Sequence, residues 1–307
     1  MEKIEINSES QSPLDLHRNK PEWLKTSIPT GKIYFDIKKD LRSRKLVTVC
    51  EEAKCPNIGK CWNTNTATFM ILGDTCTRGC RFCNVKTGNP NGILDLSEPL
   101  NVAESVKLMN LKYVVITMVD RDDLPDGGAQ HVAQVLSEVT RLSPGIKIEL
   151  LAGDFKGSKE ALDVILQARP DVYAHNIETI KRLTPRVRDP RASYTQSLEA
   201  LKLAKKLAPY PLYTKSAVML GLGETKEEVF EALQDLRDHD VDFITIGQYM
   251  RPTKKHLSIK RWAHPDEFLE ISEKAKELGF RGVASAPLVR SSYMAREFYE
   301  NATGQTL

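Results

Sequence analysis

A strand-like run followed by a helix-period run recurs six times along this chain, and few folds accommodate that alternation. The strand-like runs fall at 67–72, 113–117, 147–151, 171–174, 212–220 and 242–246. Helix-period segments at 102–109, 129–142, 158–168, 193–207 and 226–239 lie between them, and a last one follows at 265–278. Such units predict a parallel sheet with helices outside it. Right-handed crossovers favour a curved sheet closing toward a partial barrel, with an open doubly wound sheet as the alternative. A full barrel needs eight units, two more than this chain shows. The residues after each strand favour the partial barrel: 73–76, 117–123, 153–154, 175–179, 221–225 and 248–249 hold most of the unusual side chains. Loops at the carboxyl ends of strands are where barrels build their sites. The expected class is therefore α/β, a partial (β/α)6 barrel.

Cysteine usage is the second constraint. All six cysteines of the 307 residues fall between Cys50 and Cys83. A secreted disulfide scaffold spreads its bridges through a small domain, so that reading is excluded. Residues 1–20 are polar and carry Glu2 and Glu5, with neither an apolar signal core nor an arginine-rich amphipathic pattern. No run approaches the roughly 20 apolar residues that span a bilayer. Lys and Arg number 44 against 41 Asp and Glu, which makes no case for a nucleic-acid partner. The expectation is a cytoplasmic chain with reduced thiols, engaging neither membrane nor nucleic acid. Its segments are a tail at 1–20, an N-terminal extension at 21–66, the barrel at 67–285 and a C-terminal segment at 286–307. Within the extension, 32–45 reads as an amphipathic helix with Phe35, Ile37 and Leu41 as its apolar positions and six basic residues against two acidic ones. That is an ordinary solvated face, or a docking surface for an acidic carrier.

Cys76, Cys80 and Cys83 have the spacing C-x3-C-x2-C on the loop after the first strand. Three thiolates on one loop suit three corners of an iron–sulfur cubane and leave one iron open. Zinc is the alternative, but structural zinc takes four closed ligands and no histidine lies in the segment. Cys50, Cys55 and Cys61 form a second trio, C-x4-C-x5-C, again without a fourth thiol. It reads as a second cluster, a zinc knuckle or buried thiols.

The loop motif resembles that of the radical S-adenosylmethionine (SAM) superfamily, and with the upstream trio the chain resembles the lipoyl synthases. The likeness runs through VDRDDLPDGGA (119–129), HNIET (175–179), MLGLGET (219–225), GQY and PTKKH (247–256) and RSSY (290–293). It implies a barrel of the radical SAM type with N- and C-terminal extensions covering the open site. The cluster at Cys76, Cys80 and Cys83 would bind SAM at its open iron, and one-electron cleavage of SAM would give a 5'-deoxyadenosyl radical. An auxiliary, sacrificial 4Fe-4S cluster on Cys50, Cys55 and Cys61 would supply sulfur, with Ser292 of RSSY as its fourth ligand. Without the resemblance, that serine reads as a helix N-cap. The implied reaction inserts two sulfurs, at C6 and C8, into an octanoyl-lysine of a lipoyl carrier domain, either 2-oxoacid dehydrogenase E2 or glycine cleavage H protein. Ferredoxin or flavodoxin would be the reductant, and an iron–sulfur carrier would rebuild the spent cluster.

Thr117, Asp120, Asn176, Glu178 and Arg188 are the candidate SAM contacts. Asp122, Asp123 and Asp126 are an acidic turn capping the next helix, or part of the site. His175 reads as a packed core histidine. Gly221 and Gly223 leave backbone room beside an adenine. The rival readings are a radical SAM methylthiolating enzyme and a non-catalytic metal scaffold. The former spreads its extra cysteines over a separate domain, whereas Cys50, Cys55 and Cys61 lie close together.

Overall fold

The computed structural model describes residues 20–26, 31–44, 46–63 and 68–307. The strands are β1 (Val47–Thr48), β2 (Thr68–Ile71), β3 (Thr75–Cys76), β4 (Lys86–Thr87), β5 (Tyr113–Met118), β6 (Lys147–Leu151), β7 (Val172–Ala174), β8 (Tyr213–Leu220), β9 (Phe243–Gln248) and β10 (Gly282–Ser285). Eight of them form one sheet in the order β1-β2-β5-β6-β7-β8-β9-β10. From β2 to β10 every pairing is parallel, and only β1 runs antiparallel. The six expected strands are all present. A seventh parallel strand, β10, follows them and pairs with β9 from Gly282 opposite Phe243. Its Gly-Val-Ala-Ser sequence is too short and too small in side chain to read as a strand.

The crossover helices are α4 (Glu98–Leu108), α5 (Ala129–Leu142), α6 (Lys159–Gln167), α8 (Tyr194–Leu207), α9 (Lys226–Asp238) and α10 (Pro265–Glu277); the extension contributes α1 (Lys32–Ser43), α2 (Val49–Glu52) and α3 (Ile58–Asn63), and α7 (Thr184–Val187) precedes α8. Loop chemistry starts several of them. Ser158 and Ser193 cap α6 and α8, and Thr225 forms a reciprocal capping box with Glu228 on α9. Alternate residues of each strand then face opposite layers. Val114 and Ile116 of β5 pack under the helices, while Tyr113 and Val115 join a separate apolar cluster on the concave face.

The amino-terminal end of that concave face is covered by the last helix, α11 (Ala295–Thr303), which meets the first residues of β5, β8, β9 and β10. Tyr299 packs 5.2 Å from Tyr113, and Phe298 meets Phe243 edge-on at 5.5 Å. A Cβ on Gly282 would lie 2.8 Å from both Ala302 and Phe298, so glycine there admits the helix. Beside it Lys215 Nζ donates to both Glu149 oxygens at 2.8 and 2.9 Å, and Tyr113 donates to Glu149 at 2.7 Å.

On α1, Tyr34, Ile37 and Leu41 face inward, and Phe35 is 60% exposed. This corrects the expectation that Phe35 belongs to the apolar stripe. Tyr34 takes its place by packing against Trp62 with ring centroids 5.0 Å apart, because 34, 37 and 41 share one helix face. Some of the basic stretch is neutralised locally, by Lys38–Glu51 at 3.8 Å and by Arg44 against Asp40 and Glu104. Lys45 and nearly all of the expected tail lie outside the described residues. No described helix is long and apolar enough to cross a membrane.

Candidate active site

The first thiol trio sits where the barrel argument puts it, on the loop after β2. That loop is anchored at its start by Glu98, which accepts from the amides of Leu72 (2.8 Å) and Gly73 (3.3 Å) and contacts His131 Nε2 at 2.7 Å. Leu72 adopts φ +69°, a conformation unfavourable for a leucine, and these bonds hold it there. Residues after β5, β6, β7 and β9 then contribute contacts. Thr77 N donates to Asp120 O at 2.9 Å after β5. Arg78 grips Asp122 after β5 and Asp154 after β6, each by two hydrogen bonds of 2.8–3.0 Å. After β7, Asp189 accepts from Gly79 N at 2.8 Å, and its own amide donates to Cys80 Sγ at 3.4 Å. After β9, His256 Nε2 lies 2.8 Å from Cys83 O. The Cys76–Cys83 loop is thus cross-linked to four other loops of the carboxyl face.

The second trio lies on α2, the turn after it, and α3. Residues 288–294 wrap around it. Asn57 donates to Leu288 O at 2.7 Å, Thr68 Oγ1 donates to Ser292 Oγ at 2.9 Å, and Lys60 Nζ donates to Tyr293 at 2.8 Å. The Thr68 amide also reaches the Cys50 thiol, and the Met294 amide reaches Cys61. The capping alternative for Ser292 fails. Helix α11 begins at Ala295, its N-cap is Met294 at φ 46°, and no side chain caps it. Met294 is held in that left-handed conformation while its amide serves the thiol.

Burial pushes Cys50 and Cys83 up to about 12 and Cys61 and Cys80 to about 11, and raises Cys76 as well. The neighbouring thiols raise Cys50 and Cys83 further, so each trio is close enough for a charge on one to oppose a charge on the next. Thiols raised in this way need strong cations to become thiolates. Among the described residues, no three His, Cys, Asp or Glu side chains converge tightly enough for a single ion. Arg290 supplies a fit to an anionic cluster in the second trio. Its Nη2 is buried without a hydrogen-bond partner, and burial lowers its pKa while the nearby Cys55 works in the opposite direction. Gly247 makes space for this segment, since a Cβ there would lie 2.0 Å from Val289 O.

The other expected contacts gather beside the first trio, in differing states. Asp120 Oδ2 lies 4.0 Å from Cys76 Sγ. Burial lifts its carboxyl to about 6 against the pull of Arg78, an effect tempered by water at the quarter of the side chain that stays exposed. Thr117 instead donates its hydroxyl to Leu151 O at 3.0 Å, which ties it to the adjoining strand. Asn176 donates to Glu178 at 3.1 Å, while its Oδ1 is buried and unpartnered. Glu178 holds φ +65°, and burial raises its carboxyl against the opposing influence of Arg188. Arg188 is buried, with Nε unpartnered. An unpaired acceptor on Asn176 and an unpaired donor on Arg188 match a ligand that carries both an amine or hydroxyl and a carboxylate.

The acidic turn divides its labour. Asp126 accepts from the amides of Gly128 and Gln130 at 2.9 Å and so caps α5, whereas Asp122 and Asp123 hold Arg78 and Arg121. The Gly221–Gly223 amides are filled by the Glu224 carboxylate at 2.7–3.0 Å, and the space above Gly221 is taken by Gln248. At Gly223 a Cβ would meet only Lys260, at 3.7 Å. Arg78, Asp189, Arg290 and His256 went unassigned in the sequence. Arg78 was in view inside the motif, but only its pairing with distant loops gives it a role.

His175 is a packed histidine, as expected, bonded through both nitrogens and buried. Burial, followed by the Arg188 charge, lowers it to about 4 from 6.5. The unfolded chain therefore binds more protons between those values, so stability is full above 6.5 and falls as pH drops toward 4. Urea midpoints measured across that range should show the slope, and His175→Gln should flatten it. An equal slope in the variant would assign the proton to another group.

Taken together, the parallel partial barrel and a C-x3-C-x2-C loop stitched to its carboxyl face define a radical SAM enzyme. The radical SAM superfamily model matches residues 70–236, and the model for the N-terminal domain of lipoyl synthase matches residues 2–55. The lipoyl synthase of Thermus thermophilus is 52% identical, covering 95% of this chain and 90% of its own. That of Pyrobaculum arsenaticum is 53% identical over 92% and 96%, and the mitochondrial one of Eremothecium gossypii is 55% identical over 91% and 76%. This chain belongs to the lipoyl synthase family. Solved structures share the fold at low identity. Methylornithine synthase superposes with a TM-score of 0.53 at 14% identity, covering 87% of this chain and 75% of its own. The FeFe-hydrogenase maturase HydG from Carboxydothermus hydrogenoformans does so at 0.56 and 12%, covering 90% and 62%.

Proposed function

We propose that this enzyme inserts two sulfur atoms, at C6 and C8, into an octanoyl chain held in amide linkage on a lysine of a carrier domain. The observation that carries the reading is the second thiol trio wrapped by residues 288–294, with the Ser292 hydroxyl bonded to Thr68 and capping no helix, which supports Ser292 as the fourth ligand. When bound, a SAM-bearing 4Fe-4S cluster supplies one-electron cleavage of SAM, and an auxiliary 4Fe-4S cluster supplies sulfur. Cys76, Cys80 and Cys83 hold the first, and Cys50, Cys55, Cys61 and Ser292 the second. Thr117, Asp120, Asn176, Glu178 and Arg188 line the SAM side. Asp120 and Glu178 offer acceptors for an ammonium group, and the Arg188 fork offers donors for a carboxylate. Ser292 presents a hard oxygen to a soft site, a weak bond compared with thiolate and one suited to a ligand that must let go. Arg290 balances charge beside Cys55.

Partners follow from the chemistry. The substrate is an octanoylated E2 or H-protein domain, the electrons come from ferredoxin or flavodoxin, and an iron–sulfur carrier restores the consumed cluster. The curated relatives include mitochondrial and apicoplast proteins, and a cytoplasmic site for this chain is part of the proposal.

Anaerobic reconstitution should bring in about eight irons per chain, the number for two cubanes. Mass spectrometry of an octanoylated carrier should then show two added sulfurs. Two zincs, or no change in carrier mass, would defeat the reading. Gly153→Ala probes the SAM side, because the new Cβ would fall 2.4 Å from Asp120 Oδ1 and force that side chain away. SAM affinity, read by equilibrium dialysis, should weaken by about tenfold, the loss of one charge-assisted contact. Unchanged affinity would remove Asp120 from the site.

A further inference from the structure

A chain of buried hydrogen bonds stands behind Arg188. Arg188 Nη1 donates to Ser197 Oγ at 2.6 Å, Ser197 Oγ lies 2.8 Å from His175 Nε2, and His175 Nδ1 lies 2.9 Å from Ala152 O. The proton positions follow from the ends of the chain. A carbonyl only accepts, so Nδ1 carries the hydrogen. A neutral imidazole then has a bare Nε2, and the Ser197 hydroxyl must donate to it. Ser197 is left with lone pairs alone to offer the guanidinium, which only donates. No member can reverse without leaving a buried group unpaired. Ser197 is fully buried on α8 and His175 is 4% exposed, so water cannot substitute for either.

The chain joins three elements: Ala152 follows β6, His175 follows β7 and Ser197 lies on α8. It engages the Nη1 edge of Arg188 and leaves Nε, also buried, without a partner. The same guanidinium acts electrostatically on Cys80, Asp120 and Glu178, so the unpaired donor sits among the groups assigned to SAM. A long side chain that would otherwise sample several rotamers is held by one edge before ligand arrives.

We propose that Ser197 and His175 are positioning residues which, through a single imidazole tautomer, lock the Arg188 guanidinium so that its free Nε edge is preset for the carboxylate of SAM. The inference rests on the assignment of Arg188 to SAM made above. It adds two residues that touch neither cluster nor cofactor.

The test uses reconstituted holoenzyme with SAM itself as the probe. Ser197→Ala is expected to weaken SAM binding roughly tenfold, the scale of one hydrogen bond to a charged group. KM for SAM should rise, while kcat for 5'-deoxyadenosine formation at saturating SAM and the iron content stay unchanged. His175→Gln, whose carbonyl can still accept from Ser197, should bind close to wild type, and His175→Leu should resemble Ser197→Ala. This pair keeps the test decisive if Ser197→Ala folds poorly. Nitrogen-15 NMR of His175 should show the neutral Nδ1–H form from pH 6 to 8. An Nε2–H form would overturn the proposal, as would wild-type affinity in both Ser197→Ala and His175→Leu. Arg188→Met separates the two layers. If it binds SAM normally, the assignment of Arg188 is wrong. If it fails to bind while Ser197→Ala is normal, only the positioning role falls.

Discussion

Cys55→Ala is expected to yield an enzyme that still cleaves SAM but makes no lipoyl product. Cys55 lies in the turn after α2, outside the Cys76–Cys83 loop and its stitching to the carboxyl face, so the SAM side should assemble normally. The second trio would be left with Cys50, Cys61 and Ser292. Two thiolates and an alkoxide are a poor set for a cubane, because the soft ligands carry most of the affinity. Iron should fall from about eight per chain to about four, the content of one cubane. 5'-Deoxyadenosine should still form under strong reductant, and the mass of an octanoylated carrier should not change. The effect on product is all-or-none, because the sulfur source itself is removed. Lipoyl product in normal yield would show that sulfur comes from elsewhere.

Arg78→Met should cost the most stability of any change at the SAM side. The Arg78 side chain is 2% exposed and holds Asp154, which is fully buried, and Asp122, which is 11% exposed. Burial alone would raise Asp154, yet the Arg78 fork holds it at about 2. Methionine fills the space but leaves the buried Asp154 without its cation, while Asp122 keeps Arg191 at 3.2 Å and Lys156 at 3.6 Å. Removing one partner from a buried ion pair costs about 3–5 kcal/mol. At this chain length that corresponds to a fall in Tm of roughly 10 °C. The loop from Cys76 to Cys83 loses its link to β6 and keeps only the Thr77 contacts to the residues after β5, so iron on the SAM side should be lost as well. Arg78→Lys keeps the charge but not the fork that spans two carboxylates, and should fall between. A methionine variant with wild-type Tm and iron content would reduce Arg78 to a bystander.

The division between what was legible and what was not follows the range of each interaction. The six strand–helix units could be read because parallel strands buried on both faces are continuous apolar runs and their helices repeat every 3.6 residues. β10 escaped because four small residues carry no such signal, and Phe35 was misplaced because a one-residue shift in helical phase needs Trp62 to resolve it. The thiols could be read because their spacing is itself the chemistry. Ser292 was different. Its local sequence suggested a cap, and only the distance of 224 positions between it and Thr68, closed by folding, sets it beside the trio.

From the sequence alone came the α/β class, the two cysteine trios, the missing fourth thiol in each and the resemblance that named their use. These depend on residue type and local period. Tertiary structure decided that α11 covers the amino-terminal end of the barrel, that Arg78 ties the first thiol loop to two strands, that Glu224 fills the amides of Gly221–Gly223, and that Ser197 and His175 stand behind Arg188. Each of these joins residues from separate loops or elements. A buried charge or amide must find its partner wherever the fold brings one, and chain order carries no record of that meeting.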